Sequence, residues 1–102
     1  MSDDVFIAPE QCQTMAEVRV GVDAVDRELI MLLARRFAYM RAAARIKPDR
    51  AMVRDELRKA EVIANARAEA VRLGVPDALV GELWEQLVEA SIDYEMDAFD
   101  RR

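Results

Sequence analysis

Histidine is absent from the 102-residue sequence, and cysteine, glycine and proline are scarce, with one, three and three copies. Without histidine the chain can form neither a Ser-His or Cys-His nucleophile pair nor a histidine-ligated metal site. The single cysteine, Cys12, allows no intrachain disulfide and no thiolate metal cluster. We therefore expect no bound metal, and the residue types that remain favour chemistry by positioning and charge.

Positive charge is also in short supply, because 15 Lys and Arg residues stand against 20 Asp and Glu residues, a net charge of −5. A nucleic-acid-binding domain needs a basic face, so we expect no nucleic acid partner. Residues 1–7 lack the basic start and long apolar run of a signal peptide. No apolar stretch approaches the roughly 20 residues that span a bilayer, so we expect no membrane partner. These properties predict a cytoplasmic protein whose residues 1–102 form one domain, with 1–13 as an N-terminal arm.

Hydrophobic spacing predicts an all-α chain of three helices, since apolar residues recur at helical intervals and no segment alternates with the period of two typical of strands. Thr14 and Glu17 have the spacing of a capping box, in which each side chain bonds the backbone N–H of the other residue. The first helix should start there and continue to Ile46 or Lys47, because Pro48 disfavours helix at the residue before it.

Glycine and proline set the ends of the other two helices. We expect the second helix to begin between Asp49 and Arg54 and to end near Leu73. Gly74 suits the left-handed residue that often follows a helix. The third helix should start around Pro76, since proline fits the first helical turn.

The first helix carries an apolar stripe that this chain alone is too small to cover. The stripe is interrupted at position 36 and otherwise alternates steps of four and three residues: Val18, Val22, Val25, Leu29, Leu32, Tyr39 and Ala43. Such spacing is typical of a helix that packs along a partner helix. About 33 helical residues extend roughly 50 Å, whereas a compact domain of this size has a radius of gyration of about 13 Å. We therefore predict a long first helix in an antiparallel homodimer.

Arg36 interrupts this apolar stripe, and Arg19 and Lys47 lie toward the same side of the first helix. A buried cation is costly unless it is paired. Either these cations form intersubunit salt bridges, with Asp26 or other acids, or they bind an anionic ligand. In the second case Arg36 and Lys47, roughly 16 Å apart along the axis, can converge on a small molecule. Arg19 lies roughly 25 Å from Arg36 and would join them only from an antiparallel partner, so the dimer would share two sites.

The third helix places Ser91 and Glu95 on the mainly apolar face that also carries Trp84 and Val88. One interpretation is a ligand site, because apolar surroundings favour the protonated form of a carboxyl group. The other interpretation is that Glu95 lies near the exposed end of the helix and pairs with a surface arginine. Spacing alone is compatible with both.

The ordered set of charged residues resembles the small all-helical chorismate mutase family, which includes isochorismate-pyruvate lyase. The resemblance covers roughly residues 10–99 and depends on these segments: Val18-Arg19 with Asp23 and Asp26, Arg35-Arg36, Lys47, Val53-Arg54-Asp55 with Arg58, and Ser91 with Glu95. It implies an intertwined homodimer of three-helix chains with two active sites. This agrees with the dimer expected from the length of the first helix.

The resemblance also implies roles for the cations and for the acid of the third helix. Arg36, Arg58 and Arg19 of the partner subunit would bind the carboxylates of a small dianionic substrate. Lys47 would bind the region of the substrate's ether oxygen. Glu95 occupies the position at which the family has Gln or Glu hydrogen-bonded to that oxygen.

Two further positions complete the set that the resemblance implies. The backbone of Asp55 would contact the substrate hydroxyl, and Ser91 would line the carboxylate end of the pocket, where the lyase has a bulkier aromatic residue. Lys59 departs from the pattern, because the mutases often have Glu at this position to hold the hydroxyl. The link after Lys47 is also one residue shorter than in some mutases, as it is in the lyase.

These features predict a chorismate mutase, which converts chorismate to prephenate in aromatic amino-acid biosynthesis. The rearrangement is pericyclic and needs no nucleophile, metal or cofactor, so the missing residue types do not exclude it. The alternative within the family is an isochorismate-pyruvate lyase, which gives salicylate and pyruvate. The alternative from another class is a non-catalytic helical dimer in which Arg19, Arg36 and Lys47 form only salt bridges.

Overall fold

The computed structural model describes residues 7–102, and in this range all regular structure is helical. The elements follow one another in this order: 3-10 turn Pro9–Gln11, α1 (Met15–Ile46), 3-10 turn Arg50–Met52, α2 (Glu56–Leu73) and α3 (Asp77–Asp100). The predicted all-α chain of three helices is therefore confirmed. Residues 1–6 lie outside the described range, and they include part of the predicted N-terminal arm and most of the stretch that argued against a signal peptide.

α1 begins where the capping box predicted its start. Thr14 Oγ1 accepts the Glu17 N–H at 3.1 Å, and the Glu17 carboxylate accepts the N–H groups of Thr14 at 3.0 Å and Gln13 at 2.8 Å. These bonds satisfy backbone donors that the start of a helix leaves without intrahelical partners. The helix extends to Ile46, two residues before Pro48.

α2 begins later than predicted, because two aspartates divide the segment that follows α1. The Asp49 side chain accepts the Ala51 N–H at 2.9 Å and caps a 3-10 turn. The Asp55 side chain then accepts the Arg58 N–H at 2.9 Å and caps α2, which starts directly after it. The predicted start between Asp49 and Arg54 is therefore wrong. Short aspartate side chains bond nearby backbone groups, which favours caps over helix interiors.

The turn between α2 and α3 has the conformation that its glycine predicted. Gly74 is left-handed, with φ 74° and ψ 23°, and the N–H groups of Gly74 and Val75 bond carbonyl groups in the last turn of α2. Pro76 directly precedes α3. Asp77, the first residue of α3, lies 2.8 Å from the Arg67 guanidinium of α2, and this hydrogen bond lowers the pKa of Asp77 below its ordinary value.

A cluster of charged side chains holds α2 against α3. Lys59 Nζ lies 2.6 Å from a Glu85 carboxylate oxygen and 2.7 Å from a Glu89 carboxylate oxygen. The Arg54 guanidinium also donates to both oxygens of Glu89. Hydrogen bonds from Arg54, and then from Lys59, lower the pKa of Glu89 to about 2. The Lys59 side chain is 17% exposed. This lysine, which stands where the mutases often have Glu, is therefore held inside the cluster.

The chain divides into two compact units, the first ending at Arg36 and the second covering Phe37–Arg102. The core of the second unit is formed by Val53, Val88 and Ile92. Partly buried side chains surround this core: Val62, Ile63, Trp84, Met96 and Phe99. The core therefore fixes the segment before α2 against one face of α3.

A single chain leaves much of its apolar surface exposed. No side chain in the described range is completely removed from solvent. The exposed fraction is 52% for Val22, 54% for Val25, 52% for Leu29 and 53% for Leu32, all of which belong to the predicted apolar stripe of α1. Apolar surface of this extent marks an interaction face. No helix of the described residues is long and apolar enough to cross a membrane.

Candidate active site

Lys47 directly follows the last residue of α1, and its side chain reaches α3. Its backbone N–H donates to the Ala43 carbonyl at 2.9 Å, which continues the hydrogen-bonding pattern of the helix by one residue. Its Nζ lies 2.7 Å from Glu95 Oε2. The Lys47 side chain is 28% exposed, so a small molecule can still reach the ammonium group from solvent.

Glu95 and Ser91 are the two buried polar residues on α3. Glu95 is 4% exposed and Ser91, one helical turn earlier, is 3% exposed. The Ser91 hydroxyl donates to the Leu87 carbonyl at 2.6 Å. The expectation that Glu95 lies at an exposed helix end is wrong, because α3 continues to Asp100 and Glu95 faces Lys47. Glu95 is therefore buried, and the interpretation in which it belongs to a ligand site stays a prediction.

The Lys47–Glu95 contact is close but poorly directed. The two charged atoms are within ion-pair distance, yet buried Glu95 Oε2 accepts no hydrogen bond of acceptable geometry in the described part of the chain. A buried polar atom left without a hydrogen bond costs about 1–3 kcal/mol. Such an atom is unusual in a folded protein and calls for a physical reason. A ligand that accepts from Lys47 and from a protonated Glu95 would supply one.

Asp55 is the N-cap residue of α2, and Arg58 lies in the first turn of that helix. Both are exposed, and the Asp55 carboxylate is used as the helix cap described above. The Arg58 guanidinium forms an ion pair with Glu61 on the same helix, and its side chain is 63% exposed. Arg58 also lies at the rim of an open groove of about 490 Å³ whose walls include Val62 and Trp84. The described contacts therefore direct Arg58 along α2, and its predicted role with substrate stays a prediction.

Arg19 and Arg36 lie on α1 within the first unit of the chain. Arg19 is exposed and Arg36 is half-buried. Lys47, Ser91 and Glu95 belong to the second unit, in which Lys47 contacts Glu95 and Ser91 lies one helical turn before Glu95 on α3. The participation of the two arginines in the same site stays a prediction of the family resemblance.

The sequence analysis missed the residues that hold the backbone next to Lys47. The Arg102 guanidinium donates to the Lys47 carbonyl at 2.6 Å and to the Ala44 carbonyl at 3.1 Å. Helical spacing gave no signal for this contact, because α3 ends at Asp100 and Arg102 lies beyond its C-cap residue, Arg101. Glu95 contacts the Lys47 ammonium group, and Arg102 contacts the Lys47 carbonyl.

An all-helical chain in which a partly exposed lysine contacts a buried carboxylate matches the class of small helical enzymes that the sequence resembles. Residues 18–96 match the chorismate mutase type II family, and this range contains every predicted site residue. The match covers well over half of the chain, so the chain belongs to the chorismate mutase type II family. One relative, the isochorismate pyruvate lyase of Pseudomonas aeruginosa, is 29% identical over 80 residues, which are 78% of this chain and 79% of that protein.

The contact between Lys47 and Glu95 predicts a stability effect that is independent of catalysis. Lys47→Met should lower the free energy of unfolding by about 1–3 kcal/mol at pH 7, because it leaves the Glu95 carboxylate buried beside no cation. Glu95→Gln in the Lys47→Met background should restore most of the loss. Urea unfolding at fixed protein concentration measures both effects.

Arg45→Met is the matched control for this experiment, since Arg45 lies in the last turn of α1 and is exposed. It should change the free energy of unfolding by no more than about 0.5 kcal/mol. Equal effects of Lys47→Met and Arg45→Met would contradict the energetic importance of the buried pair.

Proposed function

We propose that this chain is a chorismate mutase that rearranges chorismate to prephenate for aromatic amino-acid biosynthesis in the cytoplasm. The observation that carries the proposal is the buried pair of Lys47 and Glu95, whose Oε2 lies 2.7 Å from the ammonium group. An ammonium group and a carboxyl group this close together can both donate to one oxygen on which negative charge develops, once the carboxyl group carries a proton. Family membership supports a chorismate-like substrate.

The proposed chemistry depends on where charges are held. Breaking the ether bond places negative charge on its oxygen, and fixed donors in a water-poor site stabilise that charge as it develops. Lys47 supplies one donor, and protonated Glu95 supplies the other. Cations that hold both carboxylates keep the substrate in its reactive conformer and remove the entropic cost of reaching it. By resemblance these cations are Arg36, Arg58 and Arg19 of the partner subunit.

Substrate binding must replace the contact between Lys47 and Glu95. An ether oxygen that accepts from the Lys47 ammonium group takes the place that Glu95 Oε2 holds in the structure. Glu95 is 4% exposed, and it can donate to the same oxygen only when it carries a proton. The active form of the site therefore combines an ammonium group with a neutral carboxylic acid. Ser91 and the backbone of Asp55 are proposed to contact the rest of the substrate.

We also propose that the active unit is an intertwined antiparallel homodimer. The exposed apolar stripe of α1 requires a partner surface, and a second copy with two-fold symmetry is the commonest arrangement for soluble oligomers. Arg19 lies on the part of α1 that belongs to the first unit, far along the sequence from Lys47. An antiparallel dimer would bring Arg19 of the partner subunit to the site of Lys47, Arg36 and Arg58. Each dimer would then hold two shared sites.

The second candidate function is isochorismate-pyruvate lyase. It is favoured by the 29% identical relative, which carries that name, and by the short link after Lys47. The mutases often have Glu at the position of Lys59 to hold the substrate hydroxyl. Lys59 instead forms ion pairs with Glu85 and Glu89. Ser91 favours the mutase, because a small side chain stands where the lyase has a bulky aromatic residue.

Purified protein incubated separately with chorismate and with isochorismate tests the proposal. We expect chorismate to be converted to prephenate, and isochorismate to be consumed more slowly. Lys47→Ala should reduce the rate by about 100-fold or more, since it removes a donor to the developing charge. Faster formation of salicylate and pyruvate from isochorismate would favour the lyase. Consumption of neither compound would leave the non-catalytic helical dimer as the better description.

Replacing Glu95 tests its proposed donor role. Glu95→Gln should retain activity, since an amide can still donate a hydrogen bond to the ether oxygen. Glu95→Ala should lower the rate by about 100-fold, because it removes a donor to the developing charge. Equal rates for Glu95→Ala and the wild type would contradict this role.

Mixing two inactive variants tests whether the sites are shared. Arg19→Ala and Lys47→Ala should each be inactive, and heterodimers of the two should contain one intact site. In an equal mixture about a quarter of all sites should then be intact, because half of the dimers are heterodimers. Turnover after subunit exchange measures the recovery.

A mixture of Lys47→Ala with Arg58→Ala is the matched control, since both residues are proposed to act in the site of their own subunit. This mixture should stay inactive. Shared sites are refuted if the Arg19→Ala mixture also stays inactive after subunit exchange has been demonstrated by mass spectrometry.

A further inference from the structure

The backbone around Lys47 is held by residues at the end of α3. Arg102 Nη1 lies 2.6 Å from the Lys47 carbonyl oxygen and 3.1 Å from the Ala44 carbonyl oxygen. The last carbonyl groups of a helix have no intrahelical partner, and a cation is a favourable neighbour for them. Arg102 thus caps the end of α1 at Lys47, the residue whose side chain contacts Glu95.

A second contact holds the segment on the other side of Lys47. Arg50 in the 3-10 turn donates to both carboxylate oxygens of Asp100, at 2.8 Å and 3.2 Å. This hydrogen bond keeps the pKa of Asp100 below its ordinary value, so the carboxylate stays charged near neutral pH. The segment is therefore fixed before and after the turn that follows Lys47.

Phe99 connects these contacts to the core. Its ring packs against the cluster of Val53, Val88 and Ile92, and the Arg102 guanidinium carbon lies 3.6 Å from the ring centroid. Stacking on an aromatic face restricts the guanidinium plane and favours its attraction to the ring. The position of Arg102 is therefore set by the same core that carries α3.

We propose that Phe99, Asp100 and Arg102, here called the end clamp, position the Lys47 ammonium group for the reaction. The inference rests on the proposed function, and it adds positioning residues that lie beyond residue 96, where the family match ends. Lysine is a flexible donor, so the place of its ammonium group depends on a fixed backbone. A displacement of about 1 Å in a reactive group can lower a rate by about 100-fold.

The ion pair of Arg50 and Asp100 acts on one segment and contributes little to the stability of the whole chain. The Arg50 and Asp100 side chains are 57% and 48% exposed, and exposed ion pairs contribute little to global stability. Within the segment, the Met52 N–H donates to the Asp49 carbonyl at 3.0 Å and the Val53 N–H donates to the Arg50 carbonyl at 3.1 Å. Loss of the end clamp should therefore loosen this segment locally.

Arg102→Ala, compared with Arg101→Ala, tests the proposal in the full chain. Arg101 is the matched control, because its side chain is 81% exposed and its ion pair with Asp97 joins residues of the same helix end at 3.7 Å. In Arg102→Ala we expect amide hydrogen exchange over residues 47–53 to become about 10-fold faster or more, with exchange in α2 unchanged. Arg102→Lys should restore part of the protection, and Arg101→Ala should match the wild type.

The kinetic readout separates positioning from general stability. With chorismate, Arg102→Ala should lower kcat by about 10-fold to 100-fold and change KM much less, because the bound substrate still meets the carboxylate-binding cations. Arg102→Lys should recover part of kcat. Unchanged exchange over residues 47–53, or an unchanged kcat with the native fold retained, overturns the proposal.

A third readout does not require turnover and keeps the two proposals distinguishable. The coupling between Lys47 and Glu95 is measured by unfolding Lys47→Met, Glu95→Gln and the double variant, first with Arg102 and then with Arg102→Ala. Loss of at least about half of the coupling without Arg102 supports positioning, and an unchanged coupling overturns it. If the wild type consumes neither chorismate nor isochorismate, the proposed function fails and this measurement still decides the role of the end clamp.

Discussion

The contact between Lys47 and Glu95 is the interaction on which the rest of the site depends. It joins Lys47, directly after α1, to the C-terminal half of α3, and it places a partly exposed cation 2.7 Å from a buried carboxylate. Such a pair contributes weakly to stability unless its geometry is ideal, because both groups lose their hydration. Here one carboxylate oxygen accepts no well-directed hydrogen bond. The pair is better suited to exchange with a ligand than to hold the fold together.

A small apolar core holds the segment that follows Lys47, whereas the apolar stripe of α1 stays exposed in a single chain. Val53, Val88 and Ile92 fix the segment after α1 against α3, and this small core is all that a single chain forms there. A chain of this size buries a limited fraction of its surface. The exposed apolar stripe of α1 is available to a partner surface, and a partner that bound it would stabilise the folded chain.

Local signals in the sequence predicted local structure well and long-range contacts less well. The reciprocal bonds of Thr14 and Glu17 and the left-handed Gly74 follow from residue type and spacing, because each involves neighbours along the chain. The start of α2 was missed because Asp55 competes for the backbone as a cap. Helical spacing placed Glu95 on an apolar face but left its burial open, since burial depends on which segment packs there. The two arginines of α1 were likewise identified by pattern, and their place in a site with Lys47 stays a prediction of the family resemblance.

The charged cluster around Lys59 affects which substitutions the chain tolerates at position 59. A glutamate at position 59, as in many mutases, would replace a cation that now lies within 2.7 Å of both Glu85 and Glu89. Three carboxylates would then share one small region, and like charges at such distances repel. The effect of this substitution should therefore depend on Glu85 and Glu89, because residues of one ion-pair network are non-additive. A change from lysine to glutamate here would cost less after an acid of α3 had been lost.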